Sequence, residues 1–256
     1  MKAIGYEQYG LADQLRLIEV ETPEPQAGEV LIKVHATALN KADWFLLTGK
    51  PFMVRLEAGL SRPKSLILGS DVAGIVEAVG ANVTQFQIGD EVFGDLSGCG
   101  LGGLAEYVCA PAAVLAKKPA EVSFEQAAAV PMSGVTALHG VRDHAELQAG
   151  EHILIYGASG GVGSFAVQIA KALGAEVTAV CSTSKIEMVR ALGADHILDY
   201  RKEDIAACQT RFDRILGVNG HQPLAVYKQL LKPHGRYVAA GGASTTVYTQ
   251  PRAGVH

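Results

Sequence analysis

The apolar run Ile153-Leu-Ile-Tyr156 leads directly into Gly157-Ala-Ser-Gly-Gly-Val-Gly163, and a helical pattern follows to about residue 173. A strand, a loop made almost wholly of small residues and then a helix leave the chain few ways to fold. Within the loop, Ala158-x-Gly160-x-x-Gly163 is an A-x-G-x-x-G form of the dinucleotide fingerprint. Small residues are needed there because the chain turns sharply out of the strand, backbone amides approach a pyrophosphate closely, and the helix packs tightly on the strand. The first helical turn adds unpaired N–H groups and the positive end of its dipole. Ala158, Ser159, Gly160, Gly161, Val162 and Gly163 are therefore read as cofactor contacts.

The sequence around this loop keeps the same rhythm. Strand-like runs at 153–156, 177–180, 196–198, 214–218 and 236–240 alternate with helical segments at 162–173, 184–192 and 223–231. Continuous apolar strands joined by helices predict a doubly wound α/β domain with a parallel sheet. Residues 124–138 read as helix broken at Pro131. Before that, short apolar runs at 15–20, 30–38, 72–79 and 105–108 are separated by turn signals, which predicts a compact, strongly bent β-barrel-like domain. The expected division is 1–123 for the β domain and 124–256 for the nucleotide-binding domain.

The choice of dinucleotide rests on the end of the second strand of the α/β half. An acid there accepts from the ribose 2′-OH of NAD. The chain instead reads Cys181-Ser-Thr-Ser-Lys185, with hydroxyls, a cation and no carboxylate, which favours the 2′-phosphate of NADP. Ser182 and Lys185 are the candidate contacts, and one of Ser182 and Ser184 is also expected to cap a helix.

Composition removes several classes. A net charge of −4 gives no footprint for nucleic acid or an anionic membrane. No apolar run reaches the roughly 18–20 residues needed to span a bilayer. The opening Met1-Lys-Ala-Ile-Gly-Tyr-Glu lacks the apolar core of a signal peptide, so a soluble cytoplasmic protein is expected. Cys99, Cys109, Cys181 and Cys208 form no C-x-x-C pair, and no His pair sits at helical spacing beside a carboxylate. No metal is expected.

Several further stretches carry a resemblance. Glu29-Val-Leu-Ile-Lys-Val34, Ala38-Leu-Asn-Lys-Ala-Asp43, Leu68-Gly-Ser-Asp-Val-Ala-Gly74, Gly89-Asp-Glu-Val-Phe-Gly94, Ala127-Ala-Ala-Val-Pro-Met-Ser-Gly134, the loop 157–163 and Ala191-Leu-Gly-Ala-Asp-His196 occur in order along almost the whole chain. Together they resemble the medium-chain dehydrogenase/reductase superfamily, in its zinc-free quinone-oxidoreductase-like branch. The resemblance implies a GroES-like catalytic domain, a Rossmann domain and an active site in the cleft between them. Zinc-dependent members carry Cys where this chain has Asn40, and Gly-His-Glu where it has Gly69-Ser70-Asp71. Ser133 lies at or beside the third ligand position. The four-cysteine structural-zinc lobe has no counterpart.

The resemblance further implies cofactor roles for Thr136, Gly160, Gly161, Val162, Ser182, Lys185 and Tyr200, with Gly241 and Gly242 beside the nicotinamide. Asn40, Trp44, Phe45 and Ser133 would face the substrate. Asn40 serving a local turn, and Trp44 and Phe45 packing into a core, are the other readings of those residues. No catalytic acid is singled out, because the neighbourhood where many quinone reductases have tyrosine reads Asp43-Trp-Phe45. Relatives continue beyond the position of His256 and return to the catalytic domain; this chain is expected to lack that return, exposing a sheet edge. The activity implied is NADPH-dependent hydride transfer to a small quinone or activated enone, without zinc, in a monomer or homodimer. Its rivals are an alcohol or aldehyde oxidoreductase of the same superfamily, and an NADP-binding sensor or remnant with little turnover.

Overall fold

The structure is a computed structural model. It describes residues 1–220 and 222–241, and the backbone of 247–249. The chain divides into two compact units, Met1–Met132 and one that begins at Ser133.

The first unit contains β1 (Lys2–Gly5), β2 (Arg16–Glu19), β3 (Glu29–Ala36), α1 (Lys41–Thr48), α2 (Val54–Ala58), β4 (Asp71–Val79), β5 (Glu91–Asp95), β6 (Tyr107–Pro111), β7 (Leu115–Lys117) and α3 (Phe124–Ala128). Its main sheet is antiparallel, in the order β6-β3-β4-β5-β7. Two register shifts in the β3–β4 ladder bend it, since an extra residue on one strand raises the local twist. Val30, Ile32, Val72, Val76, Val92, Leu96 and Val108 close into a core beneath it. Each such side chain, fully buried, contributes roughly 1.5–3 kcal/mol.

Helix α3 belongs with this sheet. Ala127 and Ala128 are buried against Ala73, and the Phe124 ring stacks on His35 at 4.4 Å. The unit boundary consequently falls after Met132 rather than after residue 123. Helix α1 was not legible in sequence because Trp44-Phe-Leu-Leu47 is a continuous apolar run without helical period.

The second unit holds β8 (His152–Tyr156), α5 (Gly161–Ala172), β9 (Glu176–Cys181), α6 (Ile186–Ala191), β10 (His196–Asp199), β11 (Phe212–Val218), α7 (Leu224–Leu230), β12 (Leu231–Ala240) and β13 (Val247–Thr249). Helix α4 (Pro131–Leu138) runs from the end of the first unit into it, with Pro131 at its first position, where a missing N–H costs nothing. The sheet order is β10-β9-β8-β11-β12-β13, parallel except for the last strand. Gly163, Ala166, Val167 and Ala170 form the buried stripe of α5, and their small size lets the helix lie close on the sheet. This is the doubly wound arrangement the alternation predicts.

Strand β9 lies on one side of β8 and β11 on the other, so the chain reverses its direction of winding at β8. Crevices at the carboxyl ends of strands at such a reversal are where open α/β sheets bind ligands. No helix among the described residues is long and apolar enough to cross a membrane.

Candidate functional site

The A-x-G-x-x-G loop leaves β8 at this reversal and enters α5. Gly157 has φ +74°, and a Cβ there would lie 2.5 Å from the Val218 carbonyl oxygen. Gly163 is more constrained still, since a Cβ would come within 2.1 Å of the Gly157 carbonyl oxygen. Both glycines are therefore required for the loop to close on itself. Gly160 forms the N-cap of α5 without a side chain, and a Cβ there would meet nothing nearer than 3.5 Å. The loop is tight at Gly157 and Gly163, while Gly160 and Gly161 at the start of α5 are exposed. A pyrophosphate fits that description.

The other predicted contacts lie at the same edge of the sheet. Ser182 follows β9, and Tyr200 follows β10 with its N–H donating to the Cys181 carbonyl at 3.2 Å. Gly241 follows β12 with φ +78°, against the Asn219 side chain. Ser182 holds the N-cap position of a short turn, Thr183–Lys185, yet its hydroxyl makes no capping hydrogen bond. The expected cap is thus not formed by Ser182, whose hydroxyl instead lies 3.5 Å from that of Ser184. Lys185 is exposed just beyond it. Gly242 lies outside the described residues.

One carboxylate does approach this corner, but from the next strand. Asp199, 3% exposed at the end of β10, accepts from the Thr183 hydroxyl and from the Arg201 amide at 3.0 Å. These donors, the Thr183 hydroxyl first, hold its pKa below the usual carboxylate value. Its oxygens are engaged within the protein, so it does not substitute for the ribose-binding acid of an NAD site.

Beside it Tyr156, Tyr200, Arg201, Lys202 and Gln222 line an open cavity of about 410 Å³. Arg201 and Lys202 were not singled out in the sequence. The signal was their place immediately after Tyr200 at a carboxyl strand end. Thr136 is half-buried on α4, and Ser133 stands against the loop, its hydroxyl 2.7 Å from where a Cβ on Gly161 would be.

In the first unit the predicted substrate residues gather at the start of α1. Asn40 is its N-cap, and its backbone N–H donates to Asp43 at 2.8 Å. Its side-chain amide donates to Asp71 Oδ2, also at 2.8 Å, which fixes which way the amide faces. The other oxygen of Asp71 accepts from the Met132 amide at 2.9 Å. Asp43 accepts from the Gly69 amide and the Ser70 hydroxyl, each at 3.2 Å.

Asp43, Ser70 and Asp71 are all buried, at 4%, 0% and 1% exposure. Burial pushes the Asp71 carboxyl up to about 6, against the opposing pull of its bonds to Asn40 and Met132. Trp44, by contrast, is 42% exposed with Lys41 over its ring, and Phe45 is half-buried. Core packing therefore does not account for Trp44.

As a zinc site this cluster does not fit. It offers an amide, a hydroxyl that donates to Asp43, and two buried carboxylates, Asp43 and Asp71, whose oxygens all already accept hydrogen bonds. Zinc is held by thiolate, imidazole and carboxylate donors. Asp43 and Asp71 were not assigned roles in the sequence; Asp43 reaches Asn40 within the first turn of α1, whereas only the fold brings Asp71 to it.

Comparison with known proteins agrees with this architecture. Residues 26–120 match the alcohol dehydrogenase GroES-like domain family, and 161–253 match the zinc-binding dehydrogenase family. The chain is 38% identical to a chloroplast envelope quinone oxidoreductase homolog of Arabidopsis thaliana, over 93% of this chain and 74% of that protein. It is also 38% identical to an NADPH-dependent alkenal/one oxidoreductase of the same plant, over 96% of this chain and 64% of that protein. The solved quinone oxidoreductase from Coxiella burnetii superposes with a TM-score of 0.84 at 35% identity, covering 93% of this chain and 75% of the other. By sequence and by fold, the chain belongs to the medium-chain dehydrogenase/reductase superfamily, in its quinone-oxidoreductase-like branch.

Proposed function

We propose that the chain is an NADPH-dependent, zinc-independent oxidoreductase that delivers hydride to quinones or activated enones. The observation that carries this reading is the corner beyond β9. There Ser182, which makes no capping bond, and an exposed Lys185 follow the strand, and each oxygen of the nearby Asp199 carboxylate already accepts from an internal donor. A 2′-phosphate gains charged hydrogen bonds at such a corner, where Lys185 follows the strand directly and no acid does.

NADPH supplies the hydride when bound; the chain's part is binding and placement. Gly160, Gly161, Val162 and Gly163 present backbone amides to the pyrophosphate. Ser182, Lys185 and Tyr200 hold the 2′-phosphate end, and Thr136 and Gly241 border the nicotinamide. Asn40, with its amide turned by Asp71, orients the acceptor, and Trp44 and Phe45 offer aromatic faces to a flat one. Placement alone is a substantial source of rate, because bound reactants no longer need to find each other. The donor set around Asn40 supports a reaction without a Lewis acid. An acceptor that is already electron-poor needs none.

Titration with NADPH and NADH by nucleotide fluorescence, followed by a benzoquinone and a simple enone, tests the reading. NADPH binding at least about 10-fold tighter than NADH, with enzyme-dependent oxidation on acceptor addition, is the expected result. Tight binding without turnover would favour the sensor reading. Stoichiometric zinc by elemental analysis, with alcohol oxidation, would favour the alcohol dehydrogenase reading. A homodimer and a cytoplasmic location belong to the same proposal, tested by light scattering and by cell fractionation.

A further inference from the structure

The opposite edge of the parallel sheet carries a second cluster. Strands β8, β9 and β10 begin with His152, Glu176 and His196. In register, His152 lies opposite Glu176, and His196 lies opposite Thr178, two positions further along β9. Alternation along the strands then puts all four side chains on one face. His196 Nε2 is 2.8 Å from Glu176 Oε1, and His152 Nδ1 is 3.8 Å from Glu176 Oε2. Among the described residues this is the one group of three or more His, Cys, Asp or Glu whose ligand atoms all lie within 4.8 Å of one another.

The surroundings hold one imidazole ready. His152 packs edge-on against Phe212 at 4.8 Å, and its backbone N–H donates to Asp213 at 2.9 Å. The Lys232 ammonium, the nearest cation from β12, is itself bound to Asp213 at 2.8 Å. His152 Nε2 lies 2.7 Å from the buried Thr178 hydroxyl. With the proton on Nε2 donated to Thr178, the Nδ1 lone pair faces Glu176. Metal-binding histidines are usually oriented by such an outer partner on the other ring nitrogen.

We propose that His152, Glu176 and His196 form a binding site for a divalent transition metal of the Zn²⁺ type, separate from the phosphate loop, with Thr178 orienting His152. Two imidazoles and one carboxylate select such an ion over Mg²⁺ or Ca²⁺, which prefer all-oxygen sets. Three protein ligands leave a fourth position to water. The site joins the starts of three neighbouring strands, β10 being the sheet's edge, so its role is to tie that edge down.

The test uses chelator-stripped full-length protein and Zn²⁺ alone, by competition with a chromophoric chelator, with Co²⁺ absorption as a second probe. The expected result is a single tight equivalent, a d–d spectrum without a thiolate charge-transfer band, and a higher melting temperature with metal. His196→Ala changes an exposed side chain and is expected to weaken Zn²⁺ by about 100-fold or more. Thr178→Val is expected to weaken it by about 10-fold, in line with loss of an outer-shell partner. Nucleotide affinity should be unchanged in both. Failure of the unmodified protein to bind an equivalent, an unchanged affinity in His196→Ala, or a thiolate band would each overturn the proposal.

Discussion

The two candidate sites are built in opposite ways. The phosphate loop of the second unit is contiguous in sequence and works through what its side chains lack. The Asn40 cluster of the first unit is assembled from Asn40, Asp43, Ser70, Asp71 and Met132, and works through side chains that satisfy one another. In the loop, the proposed function is room for backbone amides, and a methyl group added at Gly157 or Gly163 would collide with a carbonyl. In the cluster, buried charge is tolerated only because every oxygen has a donor, so the weak point is electrostatic. One site therefore fails by steric collision and the other by protonation or loss of a partner.

The largest effect is expected from Gly163→Val. Its Cβ would collide with the Gly157 carbonyl, and such overpacking costs about 3 kcal/mol or more. Nucleotide titration should show binding lost by about 100-fold or more. The tryptophan signal should be nearly untouched. Trp44 is the protein's single tryptophan and sits in α1, so its fluorescence in urea follows the surroundings of that helix.

Next in size is the pH response of the first unit. The Asp71 carboxyl titrates near 6 when folded and near the ordinary carboxylate value when unfolded, so between these the native state binds more protons. Stability of the first unit should therefore fall as pH rises from about 4 through 6, by up to about 3 kcal/mol for a shift of this size. Asp71→Asn should remove that swing. An unchanged pH profile in this variant would mean that another group carries it.

Lys185→Ala sharpens the contrast from the other side. Loss of a charged hydrogen bond costs about 1.5–3 kcal/mol, so NADPH should weaken by about 10- to 100-fold while NADH hardly changes. Equal losses for both nucleotides would remove Lys185 from the 2′-phosphate. Smallest of all, Asn40→Ala takes one donor from Asp71. It should cost about 1–2 kcal/mol in the urea midpoint of the first unit and move the Asp71 transition above 6. Nucleotide affinity should stay as it was. A parallel fall in acceptor turnover would tie Asn40 to the substrate rather than to structure alone.

Legibility followed the same division. The alternation after residue 150 was readable because parallel strands buried on both faces are continuous apolar runs, and α5 shows its buried stripe at helical spacing. The loop was readable because its spacing is contiguous and its tightest constraint is local, Gly163 answering to the Gly157 carbonyl six residues before it, although Gly157 also answers to distant Val218. Helix α1 was not, since its apolar run lacks period and its start is fixed by Asp43 returning to the Asn40 amide. The boundary after Met132 was missed because Ala127 and Ala128 look like any alanine-rich helix until Ala73 is known to face them.

Sequence alone thus determined the two-part architecture, the phosphate loop and the absence of an acid at the end of β9, because each depends on residues within one strand or turn of each other. Tertiary structure decided which carboxylates matter. It buried Asp71 beside Asn40, gave each oxygen of Asp199 an internal donor, and drew His152, Glu176 and His196 to one edge. A carboxylate's or imidazole's chemistry is set by the water removed from it and the donors supplied to it, and both come from chain segments that only folding brings near.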